Sequence, residues 1–298
     1  MFKRFGLFFA MNIAVILMVN IVLSIFNVQP YLTQNGINYQ SLMIFCLVWG
    51  MVGSFISLSL SKWMAKKMMG VQIVEAHGQY AGLVNTVHRL ARSANLTKMP
   101  EVGIYDSPEV NAFATGPSKS NSLVAVSTGL LRSMSDDEVE GVLAHEVAHV
   151  ANGDMVTMAL AQGVINAFVM FFARIAAFAI QNALRSDDDE SSVGGWSYYL
   201  TAMVFDVIFG IVGAMVLATY SRIREYKADA GGAKLAGRDK MIAALKRLET
   251  QYEGNGVFDT KNENMNAFKI SSRPTGIRAL MSTHPKLSLR IARLEQSR

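Results

Sequence analysis

His145-Glu146-Val147-Ala148-His149 sets two imidazoles four residues apart, with a carboxylate beside the first. On a helix, positions i and i+4 share a face. Both rings can then reach one Zn²⁺ at about 2.0–2.1 Å. Glu146 falls one step round from that face, beside the metal and off it, where it can take a proton from water on the metal. That is the chemistry of a metal-assisted hydrolase. It needs a helix, and the residues predict one over 136–151. Ser135 followed three positions later by Glu138 forms a capping box. Val139, Val142, Leu143, Val147 and Val150 recur at helical spacing, and Gly153 can end the helix. With Asp136, Asp137, Glu138 and Glu140 near its start, the helix reads as amphipathic and not as a membrane span. A catalytic zinc usually has three protein ligands and a water, and the motif supplies two. The chain has five histidines; those outside the motif are His77, His88 and His284. None follows the motif closely, where Val150-Ala151-Asn152-Gly153-Asp154 stands. A glutamate from a later helix is the other common solution. The chain has one cysteine, Cys46, which excludes a disulfide framework and any thiolate-built metal site.

The elements that must position a third ligand lie in or beside a membrane. The chain has 298 residues, 51% of them apolar and only 17% charged, with a mean hydropathy of +0.25. Soluble domains carry about 25% charged residues. Disorder is excluded, because it needs low hydrophobicity. The net charge is +5, but the basic residues flank apolar runs, so a membrane and not a nucleic acid is the expected partner. Residues 5–26 and 42–60 are each apolar for about the 20 residues that a helix needs to cross a bilayer. The first run is too long for a signal peptide and lacks a good cleavage site, so it reads as an uncleaved anchor. Residues 156–180 and 196–220 are also long enough, although they carry Arg174 and Asp206. Charges in mid-bilayer usually face protein or water, and these two could face each other across a hairpin.

Flanking charges orient the chain. Lys3 and Arg4 precede the first run, Lys62, Lys66 and Lys67 follow the second, and Arg222, Arg224 and Lys227 follow the fourth. Lysine and arginine favour the cytoplasmic side. Four crossings with both termini inside satisfy every loop, and put the acidic residues Asp187, Asp188, Asp189 and Glu190 in a solvated outer loop. The expected organisation is then a membrane hairpin over 1–61, a cytoplasmic protease segment over 62–154, a second hairpin over 155–220, and a cytoplasmic segment over 221–298 that completes the protease domain. His149 lies about two helical turns before the third run, so the site sits close to the bilayer. Glu225 stands at a similar height on the partner arm and is the expected third ligand. Asp229, one turn on, shares its helix face and can accept a hydrogen bond from the far nitrogen of a ligand histidine, an arrangement common around bound metals. His77 and His88 read as non-ligands.

These motifs resemble, in combination, the HtpX family of bacterial inner-membrane zinc metalloproteases. The resemblance is carried by His145–His149, Asn152-Gly153-Asp154, Arg222-x-x-Glu225-x-x-Ala228-Asp229, Asn111-Ala112-Phe113-Ala114-Thr115-Gly116, Val126-Ser127-Thr128-Gly129-Leu130-Leu131 and Thr283-His284-Pro285. It extends over essentially the whole chain. The family is of gluzincin type and related to the CAAX prenyl endopeptidases. The implied fold is mainly α: four transmembrane helices plus an α+β gluzincin-like domain with a small β-sheet and the HExxH helix. The implied activity is a zinc metalloendopeptidase with one Zn²⁺ per chain, cutting misfolded or damaged membrane proteins, or unfolded proteins, during envelope stress. The implied location is the inner membrane, multi-pass, with the protease domain and both termini in the cytoplasm. The residues alone imply only a membrane-proximal zinc hydrolase; oligomeric state is open.

Residues 102–105, 111–114 and 122–127 read as short strands, with turns at Asp106-Ser107-Pro108 and Gly116-Pro117-Ser118. A peptidase can hold its substrate as an added strand on such an edge. By resemblance to other gluzincins, Asn111, Ala112, Phe113 and Ala114 are the substrate-binding strand, with Asn111 bonding the substrate backbone. Alone, Asn111 reads as a turn asparagine. His284, six residues before Arg290 ahead of a helix over 288–296, reads from sequence as an exposed histidine. The resemblance to the prenyl peptidases implies instead that His284 stabilises the oxyanion and Arg290 supports the site electrostatically. The competing reading is a non-catalytic zinc-binding membrane scaffold, which would require four protein ligands; three are found, with Glu146 free beside them.

Overall fold

The structure, a computed structural model, describes residues 38–184, 196–254 and 280–297. The expected span over 5–26 and the acidic cluster at 187–190 lie outside the described residues. In chain order the elements are α1 (Tyr39–Met68), β1 (Gln72–Val74), α2 (Ala81–Ser93), β2 (Glu101–Tyr105), β3 (Ala112–Ser118), β4 (Asn121–Ser127), α3 (Thr128–Ser133), α4 (Asp136–Asn152), α5 (Asp154–Leu184), α6 (Trp196–Ala236), α7 (Arg238–Gly254) and α8 (Leu287–Gln296). Among the described residues, α1, α5 and α6 are long and apolar enough to cross a membrane. They contain the apolar runs 42–60, 156–180 and 196–220. Helix α6 does not stop where its apolar run does. Ser221 to Lys227 holds no helix breaker, so the helix continues for 41 residues and carries Glu225 and Asp229 before Gly237 ends it at φ 98.

The chain divides into two compact units. One holds the described residues up to Ile56 together with Ala159–Leu217. There Met43, Cys46 and Phe171 form a small apolar core. The backbones of α1 and α5 touch where two glycines meet: a Cβ on Gly50 would lie 2.7 Å from the Gly163 carbonyl oxygen. Arg174 Nη1 donates to both carboxylate oxygens of Asp206, at 3.0 and 3.1 Å, which is the pairing expected of two charges in an apolar run.

The other unit holds Ser57–Met158 and the described residues from Ala218 onward. Its four-stranded sheet has the order β1-β2-β4-β3. Strands β2 and β4 run parallel, and the other neighbours are antiparallel. One apolar core joins the sheet to α2, α4, α7 and α8, through Val84, Leu90, Val124, Val126, Leu143, Leu245 and Ile291 among others. Two expectations need correction. Helix α4 is not amphipathic along its length: every residue from Gly141 to Val150 is buried, because sheet and helices enclose it. The expected turn at Gly116-Pro117-Ser118 lies inside β3, where the register shifts between Thr115 and Ser118. Gly116 permits that bulge at φ 139, where a Cβ would stand 2.2 Å from the Asn121 carbonyl oxygen. The edge strand β1, only three residues long, gave no sequence signal of its own.

Candidate metal centre

Helix α4 begins with the capping box read from the sequence. Ser135 Oγ accepts from the Glu138 N–H, and the Glu138 side chain accepts from the Ser135 N–H. It ends at Gly153, in the left-handed region at φ 75, whose N–H returns to the carbonyls of His149 and Val150. His145 and His149 therefore project from the last two turns of a helix fixed at both ends. Their rings meet edge to face with centroids 4.7 Å apart.

Glu225 reaches the same point from α6. Its Oε1 lies 3.2 Å from His149 Nε2, and its Oε2 lies 3.4 Å from His145 Nε2. The ligand atoms of His145, His149 and Glu225 all fall within 4.8 Å of one another. Close approach of α6 to α4 makes this possible: a Cβ on Gly231 would lie 2.8 Å from Ala148 Cβ, and one on Gly232 would lie 3.1 Å from the His145 backbone nitrogen. The adjoining glycine pair was not singled out in the sequence, although two successive glycines inside a helix are a signal of close backbone approach.

Around the three groups lies a second layer. His145 Nδ1 is 3.0 Å from Asp229 Oδ1, so the ring's far nitrogen meets the carboxylate expected from the sequence. Asp229 takes two hydrogen bonds from Arg290, at 2.6 and 2.8 Å, and Arg290 is completely buried. His149 Nδ1 lies 2.6 Å from Asp154 Oδ2. His284 is within the same cluster: its Nδ1 is 2.9 Å from Glu225 Oε2, an ion-pair distance without hydrogen-bond alignment. His88 lies on α2 and bonds the Pro100 carbonyl at 3.2 Å.

The electrostatics follow from burial and mutual charge. Burial works against a charged His149, but the Glu225 and Asp154 carboxylates win and lift its pKa to about 10. His145 is raised in the same way, against burial, by Asp229 and Glu225. Burial would raise Glu225, yet His284 and His149 hold it well below the usual carboxylate range. Asp229, buried beside Arg290, is held down to about 2. Glu146 moves the opposite way: burial pushes its pKa up, against the pull of the two histidines. The cage thus favours positive charge at its centre, and the neighbouring Glu146 carboxyl is the one acid in it whose pKa rises. Two imidazole nitrogens and one carboxylate, converging in a buried pocket of negative field, are a donor set that fits a divalent metal.

Asn111 stands just before β3 and is buried, not a surface turn residue. Its backbone N–H donates to Ser127 Oγ at 3.1 Å, and its Oδ1 has no hydrogen-bond partner among the described residues. Ala112 and Phe113 pair with Val126 and Ala125 of β4, and Ala114 pairs with Val124. Strand β3 is an outer strand of the sheet.

Residues 79–298 match the profile of peptidase family M48. The chain is 52% identical to "Protease HtpX homolog" of Bacillus licheniformis, covering 98% of this chain and 99% of that one. It is 48% identical to "Protease HtpX homolog" of Methylacidiphilum infernorum, over 99% of both, and 50% identical to "Protease HtpX" of Shewanella baltica strain OS195, over 99% of this chain and all of that one. Among solved structures it resembles that of S. mikatae Ste24p, with a TM-score of 0.60 and 19% identity over 98% of this chain. The chain spans 65% of the length of that protein, and the likeness bears on the fold alone.

Proposed function

The chain belongs to peptidase family M48 as a membrane metalloprotease, and from that premise we propose a zinc endopeptidase that works at the cytoplasmic face of a bacterial inner membrane. The convergence of His145, His149 and Glu225 beside Glu146 is the observation that carries the reading. Two nitrogens and a carboxylate oxygen suit zinc. Held there, the metal supplies a Lewis acid that makes water nucleophilic near neutral pH and polarises the scissile carbonyl. Glu146 is the general base. It is buried, one residue from a ligand, and burial raises its pKa, which favours its holding a proton. It takes a proton as the water oxygen bonds to the carbonyl carbon, and gives it to the departing amine as the C–N bond breaks. Asn111 Oδ1, buried without a partner among the described residues, accepts a hydrogen bond from the substrate backbone, while the outer edge of β3 holds the peptide as an added strand. His284 stabilises the developing oxyanion, and Arg290 balances the carboxylates behind the ligands.

Lys62, Lys66 and Lys67 after one apolar run, and Arg222, Arg224 and Lys227 after another, support a reading in which 62–154 and 221–298 form a cytoplasmic protease domain, with four crossings and both termini inside. Substrates are cytoplasmic loops and tails of misfolded or damaged membrane proteins, and the process served is envelope-stress quality control. A non-catalytic scaffold would need a fourth protein ligand, and the metal-competent group among the described residues has three members.

Purified full-length protein should degrade an unfolded protein substrate, stop on chelation, and resume with zinc. Glu146→Gln should bind zinc as the unmodified chain does but lose at least about 100-fold in hydrolysis, the scale of a general base. Near-normal turnover by zinc-loaded Glu146→Gln protein would overturn the mechanism.

A further inference from the structure

Gly153 reverses the chain at φ 75, and Asp154, the first residue of α5, is thereby returned toward the helix just completed. Its carboxylate meets His149 Nδ1 at 2.6 Å, which is shorter than the equivalent contact of Asp229 with His145 at 3.0 Å. Asp154 is buried. Its other oxygen, Oδ1, lies 3.6 Å from Arg224 Nε, an ion pair beyond hydrogen-bond reach. Nε and Nη1 of Arg224 are buried without a hydrogen-bond partner among the described residues.

We propose that Asp154, backed by Arg224, is a positioning residue for His149, and that the two histidines are held by matched but unequal aspartate–arginine pairs. A carboxylate can only accept, so His149 Nδ1 must carry the hydrogen. That fixes the ring with Nε2, the nitrogen a metal would take, facing Glu225 and His145. The same logic holds at His145. The difference is the backing. Asp229 is clamped by two hydrogen bonds from a completely buried arginine, while Asp154 has one charge at longer range. His149 is therefore the less firmly braced ligand, and its bracing depends on Asp154 more than on Arg224.

The inference rests on His149 being a metal ligand, so its test includes a control for that reading. Zinc affinity of the full-length chain, measured by competition with a chromogenic chelator, should fall about 10–100-fold in Asp154→Asn. Arg224→Gln should fall in the same direction by a smaller factor. The melting temperature of metal-free Asp154→Asn protein should stay close to that of the unmodified chain. Glu225→Ala, run alongside, should lose zinc outright. Unchanged affinity in Asp154→Asn with loss in Glu225→Ala would overturn the positioning role alone. Retained zinc in Glu225→Ala would overturn the metal site itself. A lowered metal-free melting temperature with unchanged zinc affinity would reduce Asp154 to a helix-start residue and overturn the proposal. If Asp154→Asn does not fold, Asp154→Glu tests the same contact, since the carboxylate moves by one methylene. It should bind zinc at least about three-fold more weakly, and affinity equal to the unmodified chain would overturn the role.

Discussion

A carboxylate clamped by a buried arginine responds to acid in a fixed direction. Asp229 falls from an ordinary 3.8 to about 2, against burial, because Arg290 and His145 favour its charged form. A depressed carboxylate contributes stability above its unfolded pKa and loses it as pH falls through its folded one. For metal-free protein the contribution is about 2 kcal/mol, complete near pH 5 and mostly gone by pH 2. Asp229→Asn should therefore flatten the fall in urea midpoint between those two pH values; an unchanged slope would remove the Asp229–Arg290 pair as its cause. At this scale the sequence was readable where ligands sit close together. His145, Glu146 and His149 declare themselves by helical spacing, and Glu225 and Asp229 by theirs. Arg290 and His284 are far along the chain from everything they touch, and came only through family resemblance. Asp154 was in view, five residues past His149, but no helical spacing predicts its contact, since a left-handed glycine intervenes.

Elements that carry the ligands are brought together by missing side chains as much as by apolar ones. On α4, a Cβ at Gly141 would lie 2.5 Å from the Lys240 carbonyl oxygen of α7. In an exposed helix, Gly→Ala gains about 1 kcal/mol. Here Gly141→Ala should instead cost about 1–3 kcal/mol, because backbone atoms cannot yield as a side chain can. Denaturant unfolding of the purified variant checks the sign, and a gain in stability would show that α4 and α7 can separate freely. The capping box, the glycine stop of α4 and the core of the strands were legible because each is encoded within a few residues. The bulge in β3, the edge strand β1 and the burial of α4 on all sides were not, since each depends on a neighbour distant in sequence. The acids at the start of α4 made it look like a surface helix, whereas they mark only its exposed first turn.

For the whole molecule, orientation is the testable quantity. The single cysteine, Cys46, is completely buried, so a thiol reagent has little background. Asp136→Cys, exposed at the start of α4, should be labelled by a membrane-impermeant maleimide in inverted vesicles and not in intact cells. Labelling in intact cells would reverse the proposed topology. The three described long helices were legible by length and composition, and the helical spacing of Glu225 and Asp229 already carried α6 past its apolar run; only its further extent to Ala236 was not marked. The wide spacing of the site along the chain also has a consequence in time. During synthesis the histidine pair of α4 emerges first, the apolar stretch of α5 and α6 follows, then Glu225 and Asp229, and Arg290 comes after all of them. Until that guanidinium arrives, Asp229 lacks its two hydrogen bonds and Glu225 lacks a cation 3.5 Å away. A nascent chain thus holds every hydrolytic group except the counter-charge that lets the carboxylates be buried together. A chain that lacks the segment bearing Arg290 thus has the ligands in sequence but not the charge that lets them be buried as one site.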